Sequence, residues 1–403
     1  MPRVLLIGTL DTKGDEYAFL AERLELAGVD VLLADAGTGE PPRGRAPDIT
    51  REEVAAEAGA DLAAVAGDRG AAITAMAGAA AALARRLHAE GRIDGILAAG
   101  GSGNTAIATR AMQALPVGVP KLMVSTMAAG DTRDYVGAAD VTLMASVTDV
   151  AGVNSVSARI LANAAAAMAG MVQAPPVRLG DQRPLVAATM FGVTTPCVTR
   201  AREALEARGY EVLVFHATGT GGRAMEALVE GGFVRAVLDV TTTELCDDLV
   251  GGVLSAGPDR LEAAGRHGVP QVVSLGALDM VNFGARDTVP PRFEARNLYV
   301  HNPSVTLMRT TPEECGELGR RIAAKLSAAN GPVSLFVPLR GVSMIDAEGQ
   351  PFHDPEADAA LFAAIRENLD PRVDRVEMDC NVNDPEFAEA MVNRLDSYLK
   401  AAG

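Results

Sequence analysis

The sequence has only four cysteines, Cys197, Cys246, Cys315 and Cys380, and no two are close. That excludes a CxxC zinc or redox motif. Reduced thiols in the cytoplasm are the expected state. The five histidines, His88, His216, His267, His301 and His353, form no HxH or HExxH pair, which argues against zinc. A GxSxG elbow, a GK[ST] Walker loop and GxGxxG are all missing. Basic residues are in deficit: 36 Lys and Arg face 52 Asp and Glu, a net charge of −16. Nucleic acid and membrane are therefore not expected as partners. Long hydrophobic runs are also lacking. The most membrane-like stretch, Ala71–Ala84, holds Thr74 and Gly78, is flanked by Arg69 and Arg85, and is too short to span a bilayer. It reads as a buried helix. The N-terminal MPRVLLIGTLD reads as a buried strand and not as a signal peptide.

What is present is an ordinary globular balance, 48% hydrophobic and 22% charged over 403 residues, enough for two or three domains. Short apolar runs alternate with helical stretches. Strands are expected at Val4–Ile7, Val29–Ala34, Ile96–Ala99 and Lys121–Ser125, with helices at Glu16–Ala27, Ala71–Glu90, Asn104–Ala114 and Ser155–Met171. Thr50-Arg51-Glu52-Glu53 is a capping box that opens another helix. Three prolines interrupt the pattern in Gln173–Pro184, which sets the expected domain boundary, 1–178 and 179–403. The pattern then restarts, with strands at Leu185–Phe191, Tyr210–His216, Val234–Asp239, Gln271–Leu275, Val333–Val337 and Val373–Met378. A helix is expected at Cys197–Arg208. Thr311-Pro312, Asp354-Pro355 and Asp384-Pro385 start three late helices. Strands alternating with helices, without tight hairpins, imply parallel βαβ units. The fold class is α/β: two Rossmann-like subdomains with parallel sheets facing a central cleft. LLIGTLDTKGDE and AATMFGVTTPC echo each other as the first strand and turn of each. Ligands in such sheets sit at the carboxyl ends of the strands.

The loops at those ends supply the candidate sites. Gly100, Gly101, Ser102, Gly103, Asn104 and Thr105 follow a strand and open a helix, a pattern suited to a phosphate; a tight capped turn is the alternative. In the loop after the first strand stand Asp11, Thr12, Lys13 and Gly14. Lys13 is one of only four lysines and is placed to reach a phosphate, with Asp11 as the Mg²⁺ ligand. Asp15 and Glu16 fit better as partners of the helix dipole. Asp35 at the second strand end is a ribose-hydroxyl candidate, and Gly130 and Asp131 would complete the pocket. In the second half, Thr194, Thr195, Thr218, Gly219, Thr220, Gly221, Gly222, Thr241, Thr242, Thr243 and Arg340 are substrate-binding candidates. Thr195 doubles as the expected helix cap. His216, Asp239 and Glu244 are the catalytic candidates for proton transfer. Cys197 at a helix start is a minor nucleophile candidate.

The segments GTLDTKGDE, GGSGNTAIATRAMQALPVGVPKLMVSTMAAGDTR, MFGVTTPCV, VFHATGTGGRAME, LDVTTTEL, GALDMVNFG, YVHNPSVTLMRTTPEE and PLRGVSMID run through essentially the whole chain. They resemble a family of bacterial, fungal and plant proteins that includes the tomato inhibitor of tobamovirus RNA replication. The resemblance implies two Rossmann-like subdomains, ATP with Mg²⁺ in the first, and homodimers. In the plant member a TIM barrel follows; this chain ends at Gly403, so a barrel here would be a separate partner protein. Three readings follow. One is an ATP-using enzyme transferring a phosphoryl or adenylyl group to a small carboxylated or hydroxylated metabolite. A second is an ATP-gated binding protein without turnover. A third is an enzyme of nucleotide-sugars or dinucleotides. The first is preferred, because three polar loops in the second half exceed what an ATP sensor needs.

Overall fold

A computed structural model describes residues 1–402 except 63, 66 and 176–182. The chain divides into two compact units, Met1–Arg178 and Leu179–Gly403. Most of the Gln173–Pro184 segment, where a boundary was expected, lies outside the described residues.

The first unit is built on five parallel strands: β1 (Arg3–Gly8), β2 (Asp30–Asp35), β3 (Gly95–Gly100), β4 (Lys121–Ser125) and β5 (Thr142–Ala145). Their order is β2-β1-β3-β4-β5. Alternate residues of β1 serve opposite faces, which is why its run is apolar throughout. Leu5 and Ile7 pack with helices Arg69–Ala89 and Ser102–Gln113. Val4 and Leu6 pack with helices Leu10–Leu26 and Ser157–Gln173. The alanine-rich stretch is thus a core helix, its small side chains allowing close approach to the sheet. No helix among the described residues is long and apolar enough to cross a membrane. The capping box at Thr50 forms as expected.

The second unit has six parallel strands: β6 (Leu185–Met190), β7 (Glu211–His216), β8 (Ala236–Thr241), β9 (Gln271–Gly276) and, after an insertion, β13 (Val333–Pro338) and β14 (Asp374–Met378). The order is β14-β13-β9-β8-β6-β7. Read in chain order this is the first sheet's order with one strand added. The insertion is a three-stranded antiparallel sheet of β10 (Met280–Phe283), β11 (Leu298–Asn302) and β12 (Val305–Arg309). Its β11–β12 hairpin corrects the expectation that tight hairpins are lacking; Asn302 Oδ1 accepts from Ser304 N at 2.8 Å and closes the turn.

Two boundaries also differ. The loop expected over Gly8–Glu16 is helical from Leu10, with a break at Lys13 (φ −127°, ψ 18°). The expected cap Thr195 is the first helical residue, and Thr194 precedes it. Thr194 cannot cap because its hydroxyl bonds Phe191 and Thr241 instead.

Candidate functional site

Each sheet reverses its order at one point, between β1 and β3 in the first unit and between β6 and β8 in the second. The loops at such a point diverge and leave a crevice for ligands. The two crevices differ in what fills them.

The first is open. A cavity of about 440 Å³ is lined by Thr9, Asp11, Thr12, Lys13, Thr38 and Gly39 on one side. Gly101, Ser102, Gly103, Asn104 and Ile107 close the other, and Arg69, Ile73 and Asp149 stand at the remaining edges. Helix Ser102–Gln113 starts here and no side chain caps it at Gly101, so its first N–H groups are left for an anion. Lys13 Nζ donates to the carbonyl of Val150, beside Asp149. The Arg69 side chain has no hydrogen bond or ion pair among the described residues, and its guanidinium lies 3.8 Å from where a Gly103 Cβ would be. Sequence reasoning missed Arg69, which read only as the flank of an alanine-rich helix.

Several sequence candidates sit elsewhere. Thr105 is fully buried and its hydroxyl bonds Gly101 O and Ser125 Oγ. Gly14 packs against the backbone of Arg43. Gly100 faces Asn104. Asp35 does not offer its carboxylate to a ribose: Oδ1 accepts from Leu10 N and Gly37 N, and Oδ2 from Arg51. Asp131 is exposed and paired with Arg133, and neither it nor Gly130 lines the cavity.

The second crevice is filled by the protein itself. Thr194 and Thr241 join hydroxyls at 2.7 Å, and Thr189 Oγ1 donates to Asp239 at 2.7 Å. Thr242 and Thr243 donate to the carbonyls of Ser274 and Met280. Below them lies Arg260, fully buried, with Nη1 and Nη2 on Asp239 at 2.5 and 2.7 Å and Nε on Glu244 at 2.7 Å. Glu226 stands 3.4 Å from the same guanidinium. The other oxygen of Glu244 accepts from Gly219 N at 2.7 Å and Gly222 N at 3.0 Å. A Cβ on Gly222 would sit 2.1 Å from that carboxylate, so only glycine fits. The Thr218–Gly222 loop does bind an anion, and the anion is Glu244.

Asp239 and Glu244 are therefore counter-ions of Arg260, which removes the basis for reading them as catalytic bases. Thr218 bonds the carbonyl of its neighbour His216, while Thr220 and His216 are exposed. Gly221 packs on the His216 backbone. Arg340 is exposed and paired with Asp379 at 2.7 Å. Thr195 lines a shallow depression with Gly192, Pro196, Arg200 and Met344. Cys197 is buried, which pushes its thiol up to about 12 and takes it out of reach as a nucleophile.

A second buried hub surrounds Arg309, which donates to Asp346 at 3.1 Å and Asp358 at 2.7 Å. Asp279 is buried beside it and accepts from Ser343 at 2.7 Å. Burial raises the Asp279 carboxyl to about 6 and the Asp346 carboxyl to about 9. Unfolded, each would titrate near 3.8. The folded state therefore keeps protons that the unfolded chain releases. The resulting stability is complete at low pH and is lost as pH rises toward the folded values. The melting temperature should fall between about pH 4 and about pH 9. Asp346→Asn keeps an acceptor for Val342 N–H and supplies an N–H in place of the proton. It should flatten that fall in a thermal melt series; an unchanged slope would contradict the assignment.

Comparisons with known proteins place the chain. It is 52% identical over 401 residues to a UPF0261 protein of Clostridium tetani, covering 99% of each. It is 40% identical over 428 residues to ToMV resistance protein Tm-1(GCR237) of Solanum lycopersicum, covering 99% of this chain and 56% of that protein. Among solved structures, a Streptomyces glycosyltransferase complexed with thymidine diphosphate aligns at 13% identity and a TM-score of 0.20, covering 100% of this chain and 96% of that one. At that TM-score the alignment carries no argument. Residues 2–176 and 183–399 match the N-terminal and C-terminal domains of one family. The chain belongs to the uncharacterised protein family UPF0261.

Proposed function

We propose that the first unit binds ATP with Mg²⁺ in the cavity between Asp11–Lys13 and Gly101–Asn104. The protein would use it to transfer a phosphoryl or adenylyl group to a small carboxylated or hydroxylated metabolite. One observation carries the reading: of two crevices in like sheets, one is filled by its own side chains and the other is open, uncapped and edged by two cations. The free helix N-terminus, Lys13 and Arg69 suit phosphates. Asp11 suits a divalent cation, as a hard oxygen donor. Ile73 and Ile107 supply an apolar wall. This reading places no chemistry on Asp239 or Glu244. A cytoplasmic location belongs to it, supported by four free and buried cysteines.

The test is a thermal-shift panel of ATP, ADP and AMP with and without Mg²⁺, dinucleotides and UDP-sugars. A ligand at 100 times its dissociation constant adds about 2.7 kcal/mol. A Mg²⁺-dependent shift with ATP is the expected result. A shift with a dinucleotide or UDP-sugar alone would overturn the reading.

A further inference from the structure

Among the described residues, three that carry side chains have positive φ: Val147 (64°), Leu261 (75°) and Ala277 (58°). Leu261 and Ala277 are buried and tied down. Leu261 N–H donates to Glu226 at 2.7 Å, and Ala277 N–H to the Val342 carbonyl at 2.8 Å. Val147 is 80% exposed, so packing does not force it there. A β-branched residue with positive φ is an outlier, costly unless its surroundings over-determine it. Here the cause is a turn of three residues. Thr148 N–H donates back to Ser146 O at 2.6 Å, and Ser146 Oγ donates to Thr148 O at 2.6 Å. A three-residue turn with positive φ at its centre is the rare and strained kind.

That turn opens the segment Ser146–Gly152, which follows β5 and runs to the edge of the open crevice. The segment is anchored at Ser146, whose N–H donates to Ser125 O at 3.2 Å. Helix Leu10–Leu26 ties it at two further points. Lys13 Nζ donates to Val150 O, and Glu16 Oε1 accepts the Gly152 N–H at 2.7 Å. Glu16, expected at a helix start, lies inside the helix, is 2% exposed, and holds the segment instead. Next to the first tie, Asp149 lines the crevice and its carboxylate has no partner among the described residues. Beneath the segment a space of about 10 Å³ remains between Val124, Val150, Ile160 and Leu161, so the packing there is incomplete.

An anion entering the crevice acts on this segment through two groups. It is a stronger acceptor for Lys13 than the Val150 carbonyl, and Asp149 repels it. Both effects favour the segment released over the segment tied, which is the differential interaction a ligand needs to move an equilibrium. Release also lets Val147 leave its turn. We propose that Ser146–Gly152 is a strap, held at the crevice edge by Lys13 and Glu16 in the free protein and released when an anion takes Lys13. The strap regulates the site proposed above. It rests on that reading only for an anion at Lys13, not for a nucleotide.

The test is hydrogen exchange of the full chain, read by mass spectrometry over the strap, with inorganic pyrophosphate and with Mg·ATP; calorimetry gives the affinities. Pyrophosphate should raise strap exchange severalfold. Two variants that do not line the crevice should move its affinity in opposite directions. Val147→Asn suits positive φ better and steadies the tied strap; exchange in the free protein should slow and pyrophosphate should bind about fivefold more weakly. Glu16→Gln exchanges a charge-assisted tie for a neutral one; exchange should quicken and binding tighten by roughly threefold, with circular dichroism reporting the fold. Pyrophosphate bound without a rise in strap exchange would overturn the proposal, as would variants that leave affinity unchanged or shift it in the same direction. If neither pyrophosphate nor ATP binds, the strap and the nucleotide reading fall together. ATP binding with strap exchange unaltered removes the strap alone, and release by pyrophosphate without ATP binding removes the nucleotide reading alone.

Discussion

Lys13→Ala should raise the ATP dissociation constant by roughly ten- to a hundredfold, the loss of about 1.5–3 kcal/mol expected for a hydrogen bond to a charged group. The argument is geometric. Lys13 sits at a break in helix Leu10–Leu26, where the chain leaves helical angles and then resumes them. That break places one of the four lysines in the lining of the open crevice. Its ammonium is half-buried and has no carboxylate partner among the described residues, only the Val150 carbonyl. A phosphate is a stronger acceptor than that carbonyl. The melting temperature without ligand should change little, since only one neutral contact is lost. Calorimetric titration of both proteins with Mg·ATP checks this. Equal affinities would take Lys13 out of the site.

Arg260→Met should cost about 3–5 kcal/mol and lower the melting temperature by roughly 10 °C, or prevent folding altogether. Methionine fills similar volume, so packing is not the cause. Arg260 is the cation common to Asp239, Glu244 and Glu226, all buried or nearly so. Removing it leaves carboxylates that cannot reach water or a second cation. Burial already raises Glu226 above the usual carboxylate range with Arg260 in place. The control is Arg366→Met, which breaks an exposed pair with Glu377 and should be silent. If both variants melt alike, the hub around Arg260 is not what holds this region together.

Much of the architecture was legible in the sequence. Runs such as RVLLIG and VSLFVP read as buried parallel strands, and both are. The short strand Thr142–Ala145 escaped because its residues are only partly buried and its pattern is mixed. The antiparallel pairing within the insertion escaped because single turns at Arg286–Thr288 and Pro291–Phe293 break any regular period. The site was legible only in part. Glycines and a lone lysine marked the first crevice, but spacing could not tell which hydroxyls face inward: Ser102 lines the cavity, whereas Thr105 is turned into the core. In the second unit the residue types were right for binding an anion and the source of the anion was missed. One signal was available. Asp239 and Glu244 close to an apolar strand require a buried cation, and Arg260 is a nearby arginine in sequence.

The glycine loop satisfied by Glu244 has a consequence for how the two units respond to their surroundings. A tethered carboxylate has an effective concentration set by the chain, which dilution cannot change. The second unit therefore carries its own partner for the loop, whatever solutes surround it. In the reading proposed above, the first takes its anion from the solutes, so its stability is expected to rise and fall with their supply. Two copies of one sheet order thus differ as a constant and a variable: the glycine loop of one is indifferent to dissolved anions, while the crevice of the other, in the reading proposed above, would register them.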